Sequence, residues 1–135
     1  MTIKTYKDHE ELTDDEFKKL KESVMNVGCT ILTKCGKFIK GANVENASYG
    51  AGVCAERTTI SKAITDGYKD FKAIAISGDT ENPIVPCGIC RQFIREFNKN
   101  IVIFLFNKEG EFIKVYLNEL LPLSFGPEDL GINTN

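Results

Sequence analysis

The amino-acid sequence predicts an α/β protein, a three-layer α/β/α sandwich built on a mixed five-stranded sheet. Segments with helical and strand patterns alternate along the 135 residues, an order that favours helices on both faces of one sheet. The run IVIFLF at 101–106 is apolar throughout, and a strand of this kind needs cover on both sides. Because no linker, repeat or low-complexity segment divides the chain, we expect one domain spanning residues 1–135.

Nine elements are predicted from local patterns of apolar residues, caps and turns. In chain order they are a helix at 13–24, strands at 27–33 and 37–44, a helix at 54–65, a strand at 71–77, a helix at 88–97, strands at 101–106 and 111–116, and a short helix at 117–121.

The helix boundaries depend on capping and stop signals. Thr13 followed by Glu16 is a capping-box pattern, in which two side chains satisfy backbone groups at a helix start. Gly67 ends the helix that begins near Cys54. Apolar residues at helical spacing are expected to share one face of the helix at 88–97, namely Ile89, Phe93, Ile94 and Phe97.

The charge balance argues against several classes of partner. Seventeen basic residues against 19 acidic residues give a formal charge of −2, so we expect no nucleic-acid polymer as a partner. No apolar run is long enough to cross a bilayer, and the first residues lack the apolar stretch of a signal peptide. We therefore expect a soluble, cytoplasmic protein.

Three of the five cysteines form a pattern that predicts metal binding. Cys54 begins one predicted helix, and Cys87 and Cys90 form a Cys-x-x-Cys at the start of another. The partial positive charge of a helix N-terminus favours thiolates, the form of cysteine that binds zinc. Three protein ligands leave one tetrahedral position for water, as in catalytic zinc sites. Cys29 and Cys35 are expected to be small buried hydrophobic residues.

A hydrolytic zinc site also needs a group that carries protons, and Glu56 is the candidate. Helical periodicity alone leaves open whether its carboxylate reaches the metal, because side chains at i and i+2 diverge on a helix. Three thiolates would make the centre a net anion, which a nearby cation would moderate. Arg57 and Arg91 are the two available cations.

Three motifs together resemble the small homotetrameric cytidine deaminases. They are Cys54-Ala55-Glu56-Arg57, Pro86-Cys87-Gly88-Ile89-Cys90-Arg91-Gln92 and Asn43-Val44-Glu45-Asn46-Ala47-Ser48-Tyr49-Gly50. The first two also match the general signature of zinc deaminases in its three-cysteine form. The resemblance covers roughly residues 27–130 in the order and spacing of the family.

The resemblance implies hydrolytic deamination of cytidine and deoxycytidine to uridine and deoxyuridine plus ammonia, a step of pyrimidine salvage. It implies one Zn²⁺ per subunit held by the three cysteines, attack of zinc-activated hydroxide at C4, and Glu56 as proton shuttle. Arg57 matches the arginine that hydrogen-bonds ligand thiolates and offsets their charge.

The resemblance also implies a set of substrate-binding residues and a homotetramer with shared active sites. Asn43 and Glu45 match the pair that grips the ribose hydroxyl, and Ala55 is included in the substrate pocket. Phe125 matches an aromatic residue contributed by a neighbouring subunit to cover the base. Ala47 and Tyr49 match substrate-pocket positions near subunit contacts.

One departure from the family lies between the first helix and the first strand. The family usually has a Tyr-Ser-Pro-Tyr-Ser-x-Phe-x-Val-Gly stretch there, whereas here residues 21–26 lead straight into Val27-Gly28. The Tyr-Ser-Pro-Tyr-Ser segment is absent, and Met25 stands where a base-contacting phenylalanine is expected.

Other functions stay open beside cytidine deamination. A deaminase of another aminopyrimidine nucleoside, such as blasticidin S, would share the zinc motifs. A catalytically silent zinc-binding module is a second alternative, which the shortened loop permits. A redox-active Cys-x-x-Cys is disfavoured because it would give Cys54-x-Glu56 no role.

Overall fold

A mixed five-stranded sheet forms the centre of the computed structural model, which describes residues 3–132. The expected domain limits at residues 1 and 135 lie outside the described residues. The helices and strands are α1 (Asp14–Val24), β1 (Cys29–Thr33), β2 (Phe38–Gly41), α2 (Ala55–Thr65), β3 (Phe71–Ser77), α3 (Gly88–Arg95), β4 (Val102–Phe106), β5 (Phe112–Tyr116) and α4 (Leu117–Leu120). Two short 3₁₀ turns occupy Tyr49–Ala51 and Pro127–Leu130.

The strand order in the sheet is β2-β1-β3-β4-β5. Strands β3 and β4 pair in parallel, with α3 in the connection between them, and the other three pairings are antiparallel. The sheet edge where β3 and β4 end therefore also holds the beginning of β1 and the end of β2. Two of the predicted functional residues, Asn43 and Ala55, lie at this edge.

The interior strand β4 separates two hydrophobic cores, which confirms the predicted layers. Ile103 and Leu105 belong to the core that includes residues of α2 and α3. Val102, Phe104 and Phe106 belong to the other core, which includes residues of α1. All five side chains are buried, as expected for a strand covered on both faces.

The order and type of the nine elements agree with the sequence prediction, and the predicted capping box is present. The Glu16 backbone N–H donates to Thr13 Oγ1 at 3.1 Å, and the Thr13 N–H donates to the Glu16 carboxylate at 2.9 Å. Across residues 3–132, none of the helices combines the length and apolar content that crossing a bilayer requires.

Two details of the prediction are wrong. Strand β2 ends at Gly41 rather than Val44, because the chain leaves the sheet and Val44 pairs instead with Val53 in an isolated bridge. The four apolar residues predicted to share one face of the helix at 88–97 do not share one environment. Ile94 is buried in the core, whereas Ile89 is 67% exposed and lines an open groove with Phe93 and Phe97.

Helix α2 approaches the sheet closely at Gly41. A Cβ built on Gly41 would lie 2.5 Å from Thr59 Oγ1, 3.1 Å from the Thr59 backbone nitrogen and 3.2 Å from its Cα. Backbone contacts of this kind cannot be relieved by a rotamer change. The absence of a side chain at Gly41 thus sets the height of α2, the helix that begins at Cys54, above the sheet.

We predict that Gly41→Ala destabilises the protein by about 1–3 kcal/mol, because the added methyl group pushes α2 away from β2. The same movement should weaken zinc binding, since Cys54 and Glu56 move with the helix. Chemical denaturation of metal-free protein and zinc titration against a chromophoric chelator measure the two effects. The matched control is Gly50→Ala, because a Cβ there meets nothing within 4 Å; equal stability of the two variants would contradict the prediction.

Candidate metal centre and active site

Two helices begin at the same place above the sheet edge, and each begins with a cysteine. Cys54 is the N-cap of α2, with φ −71° and ψ 160°, and its Sγ accepts a hydrogen bond from the Arg57 backbone N–H at 3.4 Å. Cys87 is the N-cap of α3, with φ −69° and ψ 171°. Both helix termini present positive partial charge to the space between them.

Three potential ligand atoms lie in this space within 4.8 Å of one another, namely Cys54 Sγ, Cys90 Sγ and a carboxylate oxygen of Glu56. Cys90 is 1% exposed and Glu56 is 8% exposed. Two sulfur atoms bound to one tetrahedral zinc ion lie about 3.8 Å apart, given Zn–S bonds of about 2.3 Å. The spacing of the donors therefore fits a single metal ion.

The N-cap geometry explains how Glu56 reaches the cysteines. A regular helix would direct residues 54 and 56 away from each other. Cys54, however, has extended backbone dihedral angles and lies outside the helix proper. Its side chain is therefore free to turn towards that of Glu56, which settles a point that periodicity leaves open.

Cys87 lies at the edge of this cluster rather than within it. Its side chain is exposed, and the cluster found among residues 3–132 does not include its sulfur. The backbone N–H of Cys90, in the first turn of α3, lowers the pKa of the Cys87 thiol. The structure thus brings together two of the three predicted ligands with Glu56, and places the third at the start of the helix that carries Cys90.

The electrostatics of the cluster also fit a cation. Burial raises the pKa of Cys90, and the nearby Cys54 and Glu56 add to the rise because each disfavours another negative charge. A bound divalent cation reverses this balance and keeps thiolates deprotonated. The donor set is therefore one that a metal ion would stabilise.

Of the two cations considered from the sequence, Arg57 contacts a cysteine sulfur. Its Nε donates to Cys54 Sγ at 3.4 Å and its Nη2 to the Gly52 carbonyl at 3.4 Å. The hydrogen bond to Cys54 raises the pKa of Arg57. Arg91 instead donates to the carbonyls of Pro86 at 2.8 Å and Leu120 at 2.9 Å. Arg91 thereby braces the loop that leads into Cys87.

A polar cleft of about 380 Å³ adjoins the cluster at the sheet edge. Met25, Gly28 and Asn43 are among its lining residues. Gly28, which lines the cleft, lies close to Ala55: a Cβ built on Gly28 would be 3.4 Å from Ala55 Cβ. The cleft is therefore close to Glu56, the residue that follows Ala55. Asn43 Nδ2 donates to Glu45 Oε1 at 2.6 Å, so these two side chains are joined by a hydrogen bond.

The cleft also contains residues that the sequence analysis missed. They are Ser77, Gly78, Asp79 and Lys108. These residues follow the carboxyl ends of β3 and β4, and ligands of α/β sheets commonly bind outside such ends. That rule, applied to the predicted strands, is the signal that could have found them.

The remaining predicted substrate contacts lie on the surface of the chain. Ala47 and Tyr49 are exposed, Tyr49 by 94%, and Phe125 is 59% exposed. None of the three lines the polar cleft described above. A single chain therefore presents them outward and does not bring them to Glu56.

The other two cysteines differ in environment. Cys29 is buried in the core beside Thr59, as expected, and burial raises the pKa of its thiol. Cys35 is exposed, which contradicts the expectation that it would be buried. It lies in the turn between β1 and β2, where the chain is too short to fold a side chain back under the sheet.

Comparison with known proteins gives a consistent result. A family model for the cytidine and deoxycytidylate deaminase zinc-binding region matches residues 5–106. The cytidine deaminase of Sporosarcina psychrophila is 43% identical over 106 residues, which are 78% of this chain and 78% of that protein. The blasticidin-S deaminase of Bacillus cereus is 32% identical over 108 residues, 74% of this chain and 76% of that protein.

A solved structure shares the fold. The crystal structure of cytidine deaminase from Burkholderia pseudomallei aligns with a TM-score of 0.75 and 35% sequence identity, covering 84% of this chain and 100% of that chain.

Proposed function

This chain belongs to the cytidine and deoxycytidylate deaminase family defined by its zinc-binding region, and from that premise we propose that it deaminates cytidine and deoxycytidine. The reaction adds water at C4, breaks the bond from C4 to the exocyclic nitrogen, and yields uridine or deoxyuridine plus ammonia. The observation that carries the proposal is the cluster of Cys54, Glu56 and Cys90 beside a cleft of nucleoside size. It supplies a metal site and a proton carrier together.

The proposed zinc ligands are Cys54, Cys87 and Cys90, with one Zn²⁺ per subunit. Both helix N-termini favour thiolates there, and Cys87 starts the helix that contains Cys90. Zinc supplies, when bound, a water molecule whose pKa is lowered towards neutrality. Arg57 offsets part of the thiolate charge through its hydrogen bond to Cys54.

Glu56 is the proposed catalytic residue. Its carboxylate takes a proton from the attacking water and passes it to the pyrimidine ring, and then helps the amino group leave as ammonia. Because the Glu56 side chain is only 8% exposed, bulk water is excluded from these proton transfers. The presence of this carboxylate next to both cysteines favours an enzyme over a silent zinc-binding module.

The cleft supports a free nucleoside as substrate. We propose that Asn43 and Glu45 bind the ribose hydroxyl. The Asn43 amide holds the Glu45 carboxylate in one orientation, so the carboxylate can accept a hydrogen bond from that hydroxyl. Ala55 borders the base between the pair and Glu56. Met25 lines the cleft where the family has a phenylalanine, and it provides an apolar contact of adaptable shape.

We propose a homotetramer in which neighbouring subunits complete each site. Phe125, Ala47 and Tyr49 are exposed in one chain, although the family uses these positions at or near the substrate. Ile89, Phe93 and Phe97 line an apolar groove of about 630 Å³, and burial of such surface in an interface is favourable. Shared sites would explain the outward position of Phe125.

Residues 1–135 would act as one catalytic domain in the cytoplasm, in pyrimidine salvage. The formal charge of −2 supports a small substrate rather than a nucleic-acid polymer. Blasticidin S is the less favoured substrate, since the relative named for it shares 32% identity with this chain against 43% for the cytidine deaminase.

We predict that Glu56→Gln retains zinc and lowers the rate of cytidine turnover by at least about 10²-fold, because glutamine cannot move protons. The fall in ultraviolet absorbance of cytidine and the release of ammonia measure the rate. Glu109→Gln, an exposed change in the turn between β4 and β5, is the control. Turnover in Glu56→Gln equal to that of the control would remove Glu56 from the mechanism.

Cobalt substitution tests which donors bind the metal. With three thiolate ligands, Cys87→Ser should reduce the thiolate-to-cobalt absorbance by about one third, whereas Glu56→Gln should leave it unchanged. Cys35→Ser is the control, because Cys35 is an exposed cysteine away from the site. The reverse result, with loss in Glu56→Gln and none in Cys87→Ser, would make the carboxylate the third ligand.

Mixing two defective variants tests the shared site. Glu56→Gln keeps Phe125, and Phe125→Ala keeps Glu56, so a mixed oligomer forms some sites with both residues intact. Random co-assembly of equal amounts should restore about one quarter of the sites, and light scattering should give a tetramer. If each site uses Phe125 of its own chain, co-expressed variants will show only the average of the two parental activities.

A further inference from the structure

A buried arginine on α3 binds the C-terminal segment that carries Phe125. The Arg95 side chain is 6% exposed. Its Nε donates to Ser124 Oγ at 2.8 Å and its Nη2 to the Ser124 carbonyl at 3.5 Å. The same guanidinium forms an ion pair with Glu128, with Nη1 at 3.3 Å from Oε2 and Nη2 bonded to Oε1.

The residues on either side of Phe125 are thus fitted to this guanidinium. A Cβ built on Gly126 would overlap the Arg95 guanidinium, so a larger residue at position 126 would displace the arginine. Between Ser124 and Gly126, the Phe125 carbonyl accepts a hydrogen bond from Gln92 Nε2 at 2.9 Å. Two side chains of α3 therefore bond Ser124 and Phe125, and Gly126 packs against one of them.

The ring of Phe125 does not share in this fixation. It is 59% exposed, while the backbone that carries it is anchored on both sides. Leu123, just before the segment, has φ 53° and is fully exposed. The arrangement fixes the backbone and leaves the aromatic side chain projecting from the surface.

The ion pair of buried Arg95 with half-exposed Glu128 is a poor way to gain stability, because the guanidinium is desolvated while solvent screens the carboxylate. The guanidinium fork instead contributes fixed geometry, since its planar donors bind several acceptors at set angles. The fork is on α3, the helix whose first turn contains Cys90. Eight residues of helix are about 12 Å long, so the segment is held close to the metal centre.

We propose that Arg95 is a positioning residue, which holds residues 124–126 against α3 so that the Phe125 ring is placed to close the substrate site of a neighbouring subunit. The inference rests on the proposed function, in which Phe125 covers the base. Arg95 touches neither base nor metal and acts through Phe125 alone. A purely stabilising role would affect folding without any dependence on Phe125.

The first test uses residue 125 as its own reporter. The chain contains no tryptophan, so Phe125→Trp gives a single fluorophore at the position in question. Adding Arg95→Lys keeps the positive charge but removes the planar guanidinium with its several donors. This change should raise acrylamide quenching of the Trp fluorescence by about twofold or more and lower the fluorescence anisotropy. Unchanged quenching and anisotropy would overturn the proposal.

Two further variants control this comparison. Glu128→Gln removes the charge partner while keeping Arg95, and serves if Arg95→Lys does not fold; it should shift quenching in the same direction. Asp15→Asn breaks the exposed Lys19–Asp15 pair on α1 and should not change the fluorescence. A change in quenching in Asp15→Asn as large as that in Glu128→Gln would contradict a specific role of the contacts that Arg95 makes with Ser124 and Glu128.

The second test is a double-mutant cycle on cytidine turnover. In the protein that retains Phe125, Arg95→Lys should raise KM for cytidine about threefold or more, while kcat stays within about twofold of the wild-type value. In the Phe125→Ala background it should have no further effect, because the residue through which it acts is gone. Equal effects on KM in both backgrounds would overturn the proposal. Lack of turnover in the wild type would refute the proposed function, while the quenching test still decides whether Arg95 holds residue 125.

Discussion

The convergence of negative donors at two helix N-termini is the constraint on which the rest of the structure depends. Cys54, Glu56 and Cys90 lie within 4.8 Å of one another, and a cluster of this kind is unfavourable without positive charge nearby. The helix termini, the Arg57 guanidinium and a metal ion each provide some of that charge. The cluster therefore couples folding of α2 and α3 to metal binding, as in other proteins where the site is formed by the folded state.

Close approach between elements places the two helices correctly. Gly41 lets α2 lie directly on β2, and Gly126 lets the C-terminal segment lie directly on Arg95. In both cases a missing side chain sets the distance between two segments. Hydrogen bonds from Lys62 to the Lys40 carbonyl and from Arg95 to Ser124 then maintain these two distances. The potential metal ligand Cys90 and the Arg95 anchor of the Phe125 segment thus lie near opposite ends of the same short helix, α3.

The local patterns of the sequence were enough to predict the elements of the fold. Capping at Thr13, the apolar run at 101–106 and the stop at Gly67 each act within a few residues, so they can be recognised without a structure. Two of the errors concern contacts between separate segments, and a third is the exposure of Cys35 in a turn. The end of β2 depends on Val44 pairing with Val53, and the two environments along α3 depend on which neighbour covers each face.

By itself the sequence determined the α/β layers, the cysteines and glutamate of the site, and the family they resemble, because spacing and residue type carry that information. Tertiary structure decided which of these residues meet. It showed that Glu56 converges with Cys54 because the latter is an extended N-cap, and that Arg57 rather than Arg91 bonds a cysteine. It also revealed that buried Arg95 binds Ser124 and Glu128. Arg95 bonds residues 29 and 33 positions further along the chain, whereas the contacts of Cys54 with Glu56 and Arg57 depend on the extended N-cap backbone at Cys54. Apolar spacing fixes neither a distant partner nor the backbone conformation of a single residue, so both were decided only when the helices packed on the sheet.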